Sequence, residues 1–88
     1  MDGQIQHLRQ NIDEIDRQIL ALFEQRMELV LKIAEYKKQN NLPVLNAERE
    51  REILTKITEN QNEKIAGYTK TLFKTLFDVS RDYQNRNL

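Results

Sequence analysis

The sequence predicts an all-α fold in which one long helix and two shorter ones make up each chain. Three observations support this fold class. An apolar repeat that alternates three and four residues runs through the first forty residues, two shorter stretches follow the same rhythm, and no alternating β-pattern occurs. With 88 residues, the chain is expected to form a single domain, residues 1–88, near the lower size limit for an independent hydrophobic core.

The first predicted helix runs from about Gln4 to Asn40, and neither Pro nor Gly interrupts it. Its apolar positions include Ile5, Leu8, Ile12, Ile15, Ile19 and Leu22. A helix of about 36 residues is about 54 Å long, whereas a globule of this chain length has a radius of gyration of only about 12 Å. The rest of the chain cannot cover such a helix, so the sequence predicts that a second copy does.

Two shorter helices follow a turn at the single proline, Pro43. Asn46 is a suitable N-cap for a second helix over about Ala47–Thr58, whose first turn is acidic. Its predicted buried residues are Ile53, Leu54 and Ile57. After a polar connector, a third helix is predicted over about Glu63–Asn85, with a frayed tail beyond it.

The composition excludes several classes of function. Fourteen basic and fourteen acidic residues give zero net charge, which argues against a nucleic-acid or anionic-membrane surface. The chain has no Cys and a single His, so no disulfide, thiolate nucleophile or metal cluster is expected, and no cofactor. No apolar stretch approaches about 18 residues. The N-terminus is polar, and the expected location is therefore the cytoplasm.

Polar residues interrupt the inward faces of all three helices. Arg26 occupies an apolar position of the first helix, and Lys37 returns to nearly the same face three turns later. Buried cations are costly unless an internal Glu pairs with them, their stems reach water, or an anionic ligand binds. The other residues of this kind are Arg49, Glu50, Ser80 and Gln84. Such a set between helices predicts a cation-rich pocket for a small molecule with more than one carboxylate, working by positioning and electrostatics.

Several motifs occur in order along the chain: Arg9-x-x-Ile12-x-x-Ile15-Asp16, Leu22-Phe23-x-x-Arg26, Lys37, Pro43-Val44, Arg49-Glu50 and Asp78-Val79-Ser80-x-x-x-Gln84. In this order and spacing the chain resembles the all-helical chorismate mutases from Leu8 to Gln84. The resemblance implies an intertwined helical-bundle homodimer with two equivalent sites at its interface. It also implies the isomerisation of chorismate to prephenate, a [3,3] rearrangement in the biosynthesis of aromatic amino acids.

The resemblance assigns the substrate's two carboxylates to Arg26 and to Arg9 of the partner subunit, with Arg49 and Ser80 completing the binding site. Helix geometry supports the assignment of Arg9 independently. Arg9 and Arg26 are separated by about 25 Å along one helix and by about 100° around it. One small substrate cannot contact both arginines within a single chain, but two antiparallel helices would bring them together.

The resemblance assigns the remaining contacts to the reacting part of the substrate. Lys37 and Gln84 would donate to the ether oxygen, where negative charge grows as the C–O bond breaks. Glu50 would hold the ring hydroxyl, helped by the backbone at Asn46. Many relatives carry Asp where this chain has Asn46, so the resemblance assigns no role to that side chain, and a modest effect is expected because Asn caps a helix comparably.

Three alternatives are compatible with the sequence. An isochorismate-pyruvate lyase can share the scaffold and acts on a sibling substrate. A non-catalytic helical dimer could serve as a regulatory or interaction module, with Arg26 and Lys37 merely paired in the seam. The chain could also be one domain of a larger fused enzyme: its initial Met and complete helix set fit a stand-alone protein, but a segment of a longer chain would look the same.

Overall fold

A computed structural model describes residues 2–88, which form three α-helices and contain no strand. Helix α1 spans Asp2–Gln39, α2 spans Ala47–Thr58 and α3 spans Glu63–Arg86. The predicted helix order is confirmed, and α2 has the predicted ends. Helix α3 continues to Arg86, one residue into the tail that was expected to fray. The molecule measures 59 × 28 × 15 Å because α1 runs along its whole length.

The end of α1 is a Schellman motif, a C-terminal cap that uses a left-handed residue. Asn41 has φ 56°, a conformation that asparagine tolerates better than most residues. Its N–H donates to Lys38 O at 3.3 Å, and the N–H of Leu42 donates to Lys37 O at 2.8 Å. Pro43 follows directly and prevents the helix from continuing. This cap brings the chain from the end of α1 to the start of α2.

Asparagine side chains cap both shorter helices at their N-termini. Asn46 Oδ1 accepts from the backbone N–H of Arg49 at 3.0 Å, which confirms the predicted cap of α2. Asn62 Oδ1 accepts from the backbone N–H of Lys64 at 2.9 Å and caps α3. Each cap satisfies one N–H group that the first helical turn leaves without a partner.

Helix α3 is the central element because it packs against both α1 and α2. Ala34 of α1 and Phe77 of α3 are the buried apolar residues of this small core. Helix α2 buries no side chain completely, and the predicted burial of Ile57 is wrong for the single chain, where its exposed fraction is 37%. A single chain covers α2 on one side only, which leaves the last turn of the helix open to solvent.

The first half of α1 projects from this core. Every residue from 3 to 22 is exposed, including the apolar positions of the repeat, which are Ile5, Leu8, Ile12, Ile15, Ile19 and Leu22. We call these six residues the α1 apolar face. A monomeric protein rarely exposes so continuous an apolar surface. Within the described range, no helix combines the length and the apolar character that crossing a membrane requires.

Candidate active site

A cavity of about 300 Å³ lies where the second half of α1 meets the start of α2 and the end of α3. Seven of the eight site residues predicted from the sequence line it: Arg26, Lys37, Asn46, Arg49, Glu50, Ser80 and Gln84. Apolar side chains form the other walls: Leu29, Val30, Ile33, Val44, Ile53 and Phe77. A few polar groups converging on an apolar pocket are typical of a small-molecule site. Arg9, the eighth residue, lies on the projecting half of α1 and does not line the cavity.

Arg26 is held in the cavity by neutral groups. Its Nη1 donates to Ser80 Oγ at 2.6 Å, and Ser80 Oγ donates to the Leu76 carbonyl oxygen, also at 2.6 Å. The guanidinium carbon lies 5.9 Å from the centre of the Phe77 ring. Partial burial lowers the pKa of Arg26 through desolvation, although an arginine stays charged at neutral pH. No carboxylate among the described side chains pairs with Arg26, so its charge is uncompensated.

Lys37 and Gln84 are each fixed by one hydrogen bond to backbone. Lys37 Nζ donates to Val44 O at 2.9 Å, which joins α1 to the segment before α2. Gln84 Nε2 donates to Val30 O at 2.7 Å, which joins α3 to α1. Lys37, like Arg26, has no carboxylate partner among the side chains that the structure describes. Within the described part of the single chain, therefore, no internal Glu neutralises either of the two cations.

The two polar residues predicted on the inward row of α3 are the most buried polar residues described. Ser80 exposes 5% of its surface and Gln84 exposes 6%. Both nevertheless have hydrogen-bond partners on α1, so neither is an unsatisfied group. Their burial excludes a simple solvent-facing role near the end of the helix.

Arg81 also lines the cavity, and the sequence reasoning missed it. Its Nη1 donates to Glu50 Oε2 across the α2–α3 contact, and its Nη2 donates to Asp78 Oδ1 one turn back on α3. The position of Arg81 relative to its neighbours on α3 could have indicated that it faces the cavity. Arg81 is four residues after Phe77 and three before Gln84, which places all three on one face of α3.

Arg49 lies at the rim of the cavity. Its Nη1 donates to Glu52 Oε1 at 3.0 Å, and the two side chains expose 57% and 58% of their surfaces. An exposed pair of this kind contributes little to stability, so Arg49 can exchange Glu52 for a ligand at low cost. Asn46, beside it, uses its side-chain oxygen for the helix cap.

The charge of the cavity lining sets the chemistry it supports. Four cations, Arg26, Lys37, Arg49 and Arg81, face a single carboxylate, that of Glu50. Guanidinium and ammonium groups in a partly desolvated pocket bind carboxylates strongly. Across the described chain, no cluster of three or more His, Cys, Asp or Glu residues could hold a metal ion. The arrangement is suited to binding an anion with more than one carboxylate and to stabilising negative charge that develops on it.

Comparisons with known proteins give one family and several relatives. The model of the chorismate mutase type II family matches residues 8–85. The chain is 42% identical over 64 residues, 73% of its length, to a bifunctional chorismate mutase/prephenate dehydratase of Aquifex aeolicus. It is 38% identical over 74 residues, 82% of its length, to a protein of the same description from Buchnera aphidicola.

A further relative is a chorismate mutase of Methanocaldococcus jannaschii, 39% identical over 57 residues, or 65% of the chain. The matched regions span 18% and 19% of the two bifunctional relatives and 58% of the M. jannaschii protein. No solved structure gave a significant match.

Proposed function

The chain belongs to the chorismate mutase type II family, and from this membership we propose that it isomerises chorismate to prephenate in aromatic amino-acid biosynthesis. In this [3,3] rearrangement the ether C–O bond breaks while a new C–C bond forms. No atom is gained or lost and both bond changes occur within the substrate, so the reaction requires no co-reactant. The cytoplasmic location expected from the sequence stays a prediction.

The observation that carries the proposal is the pair of uncompensated cations in the cavity. Among the described residues, Arg26 and Lys37 donate hydrogen bonds only to neutral groups, namely Ser80 Oγ and Val44 O. Chorismate carries two carboxylates, and a guanidinium held by neutral neighbours can form charge-assisted hydrogen bonds to one of them. A buried cation is costly without an anion, which makes a dianionic ligand the natural complement of this site.

We propose that the second carboxylate is bound by Arg9 of the partner subunit in an intertwined homodimer. Two features support this dimer. The α1 apolar face is exposed along the whole projecting half of the helix, and a second copy would cover it. Arg9 lies about 25 Å along α1 from Arg26, and an antiparallel second copy would bring the two arginines to one substrate.

The remaining polar groups would act on the reacting atoms. Lys37 and Gln84 each use one N–H for a backbone carbonyl and retain others. We propose that these donate to the ether oxygen, where negative charge accumulates in the transition state. A preorganised donor in a partly desolvated site supplies about 3–4 kcal/mol, by analogy with deletions of oxyanion-hole donors. The apolar walls would favour the compact conformer of the substrate in which the two reacting carbons approach each other.

We propose that Glu50 accepts a hydrogen bond from the ring hydroxyl, next to the backbone at Asn46. Arg49 and Ser80 would complete the carboxylate site, Arg49 by exchanging Glu52 for the substrate and Ser80 by orienting Arg26. These assignments are supported by the shared location of the seven predicted residues, all of which line one cavity.

The test is the loss of chorismate absorbance on addition of purified protein, with prephenate identified as the product. Arg26→Ala should lower kcat/KM by about 100-fold or more because it removes the guanidinium proposed to bind one carboxylate of the substrate. The matched control is Arg51→Ala, which removes an exposed arginine of α2 that does not line the cavity.

A parallel incubation with isochorismate separates the two activities that this scaffold can support. Release of salicylate and pyruvate, with chorismate left intact, would replace the mutase proposal by a lyase. If neither substrate is consumed and neither binds, the proposed function is wrong.

A further inference from the structure

The ion pair between Glu50 and Arg81 differs from the other ion pairs of the molecule. It joins two helices, whereas the pairs Arg49–Glu52, Arg81–Asp78 and Arg86–Asp82 each lie within one helix. Glu50 and Arg81 also expose only 26% and 27% of their side chains, against 57% or more for Arg49, Glu52, Arg86 and Asp82. Electrostatic attraction is screened less in such a partly buried position. This pair therefore restrains its carboxylate more strongly than a surface pair does.

The two oxygens of the Glu50 carboxylate differ in whether they have a hydrogen-bond partner. Arg81 Nη1 occupies Oε2, and no hydrogen bond to Oε1 is found among the described residues. Arg81 is itself held by Asp78, which accepts a hydrogen bond from its second terminal nitrogen, so the guanidinium is bound at two points. A glutamate side chain otherwise has several rotamers, and restricting them before a ligand binds lowers the entropic cost of binding.

We propose that Arg81 is a positioning residue that acts through Glu50: it holds Oε2 so that Oε1 is preoriented to accept the hydroxyl hydrogen of the substrate ring. Arg81 thereby sets the selectivity of the site for a hydroxylated over a non-hydroxylated ring. This inference rests on the proposed function, because it takes the cavity ligand to be a cyclic dicarboxylate with a ring hydroxyl. In this arrangement Arg81 contacts no part of the substrate.

The test compares two stable bicyclic dicarboxylates that imitate the transition state and differ only in the ring hydroxyl. Their dissociation constants are measured by calorimetry for the wild type and for Arg81→Met, and their ratio is the hydroxyl preference. Arg81→Met should weaken binding of the hydroxylated compound by about 10-fold, as expected for a disordered charge-assisted hydrogen bond. Binding of the compound without the hydroxyl should weaken by less than about 3-fold, since it makes no contact with Glu50 and loses only the screened attraction of the Arg81 charge.

Four further variants sharpen the test. Arg86→Met removes another ion pair of α3, the exposed pair with Asp82 outside the cavity, and should leave both affinities unchanged. The hydroxyl preference of Glu50→Gln should not fall further when Arg81→Met is added, because the two residues act as one unit. Arg81→Lys keeps a cation that can bond to Glu50 and should give a preference between those of the wild type and Arg81→Met.

Equal weakening of both compounds by Arg81→Met would mean that Arg81 binds a carboxylate or merely holds α2 against α3, and it would overturn the proposal. No weakening of either compound would overturn it as well. If Arg81→Met does not fold, Arg81→Lys decides, and an unchanged hydroxyl preference in that variant refutes the role. A wild-type protein that neither converts chorismate nor binds either compound would instead refute the proposed function, an outcome distinct from all of these.

Discussion

Three polar donors of the cavity share one arrangement, in which a single hydrogen bond fixes the side chain and other N–H groups remain for a ligand. Arg26 is bonded to Ser80, Lys37 to the Val44 carbonyl and Gln84 to the Val30 carbonyl. An arginine has five N–H donors, a lysine three and a glutamine two. These donors are therefore positioned before a substrate arrives, and the reaction need not reorganise them.

A prediction for Gln84 follows from this arrangement. Gln84→Glu should lose most activity at neutral pH, because an ionised carboxylate cannot donate to the ether oxygen and is repelled by the Val30 carbonyl oxygen. Protonation restores one O–H donor. Activity should therefore rise as the pH falls through the pKa of the introduced carboxyl, a direction opposite to that of a general base. The measurement is kcat/KM for chorismate between pH 4 and pH 8, roughly the range in which a buried carboxyl titrates.

The matched control is Gln84→Met, which has a similar length but neither donates nor titrates. Its activity should be low at every pH, and the folded state of both variants is checked by circular dichroism. If Gln84→Glu has the same flat profile as Gln84→Met, Gln84 does not donate to the reacting oxygen.

At the scale of single residues, the sequence predicted the unusual side chains better than the ordinary ones. Ser80 and Gln84 are conspicuous because they are polar residues on an apolar row, and both are buried. Arg81 is a charged residue on a helix rich in charged residues, so nothing in its type distinguishes it. Its partner Glu50 lies on another helix, and the contact between α2 and α3 has to be known before the pair can be found.

At the scale of helices, the ends were predictable where a single residue determines them. Pro43 stops α1, and Asn46 starts α2 by capping it, both through local chemistry. The cap at Asn41 depends on a left-handed backbone, which asparagine permits but does not enforce. Burial along a helix was less predictable, as Ile57 demonstrates, because it depends on which neighbour covers each turn.

The α1 apolar face leads to a prediction about assembly. Ile19→Asp places a charge in the middle of this face and should convert a dimer to a monomer or prevent folding, since an unpaired buried charge costs several kcal/mol. Ala21→Asp is the matched control, because it introduces the same side chain two residues away on the opposite side of α1. Analytical ultracentrifugation distinguishes the 10.5 kDa chain from a particle of twice that mass.

Further results would argue against the proposed dimer. A wild-type protein that sediments as a monomer at high concentration would contradict it directly. So would Ile19→Asp and Ala21→Asp variants that sediment identically.

At the scale of the whole molecule, the length of α1 determines the dimensions of the chain and leaves half of the helix uncovered. Its length could be predicted from the apolar repeat alone, and with it the need for a covering partner. The direction of the partner helix could not be predicted from the apolar repeat. The apolar positions of one helix fix a contact face but not the direction of the helix that packs on it. The structure adds that α3 leaves the projecting half of α1 uncovered.

Because Arg9 and Arg26 lie far apart on α1, each site of the proposed dimer would take these two arginines from different chains. Two chains that each lack one of the arginines can therefore form one intact site together. In the proposed dimer, a mixed pair made of an Arg9→Ala chain and an Arg26→Ala chain would have one site with both defects and one site with neither. Unfolding and refolding the two inactive proteins together should thus restore about a quarter of the normal number of sites, since half of the randomly formed pairs are mixed. Two mutant genes, each useless alone, would then complement one another in a single cell.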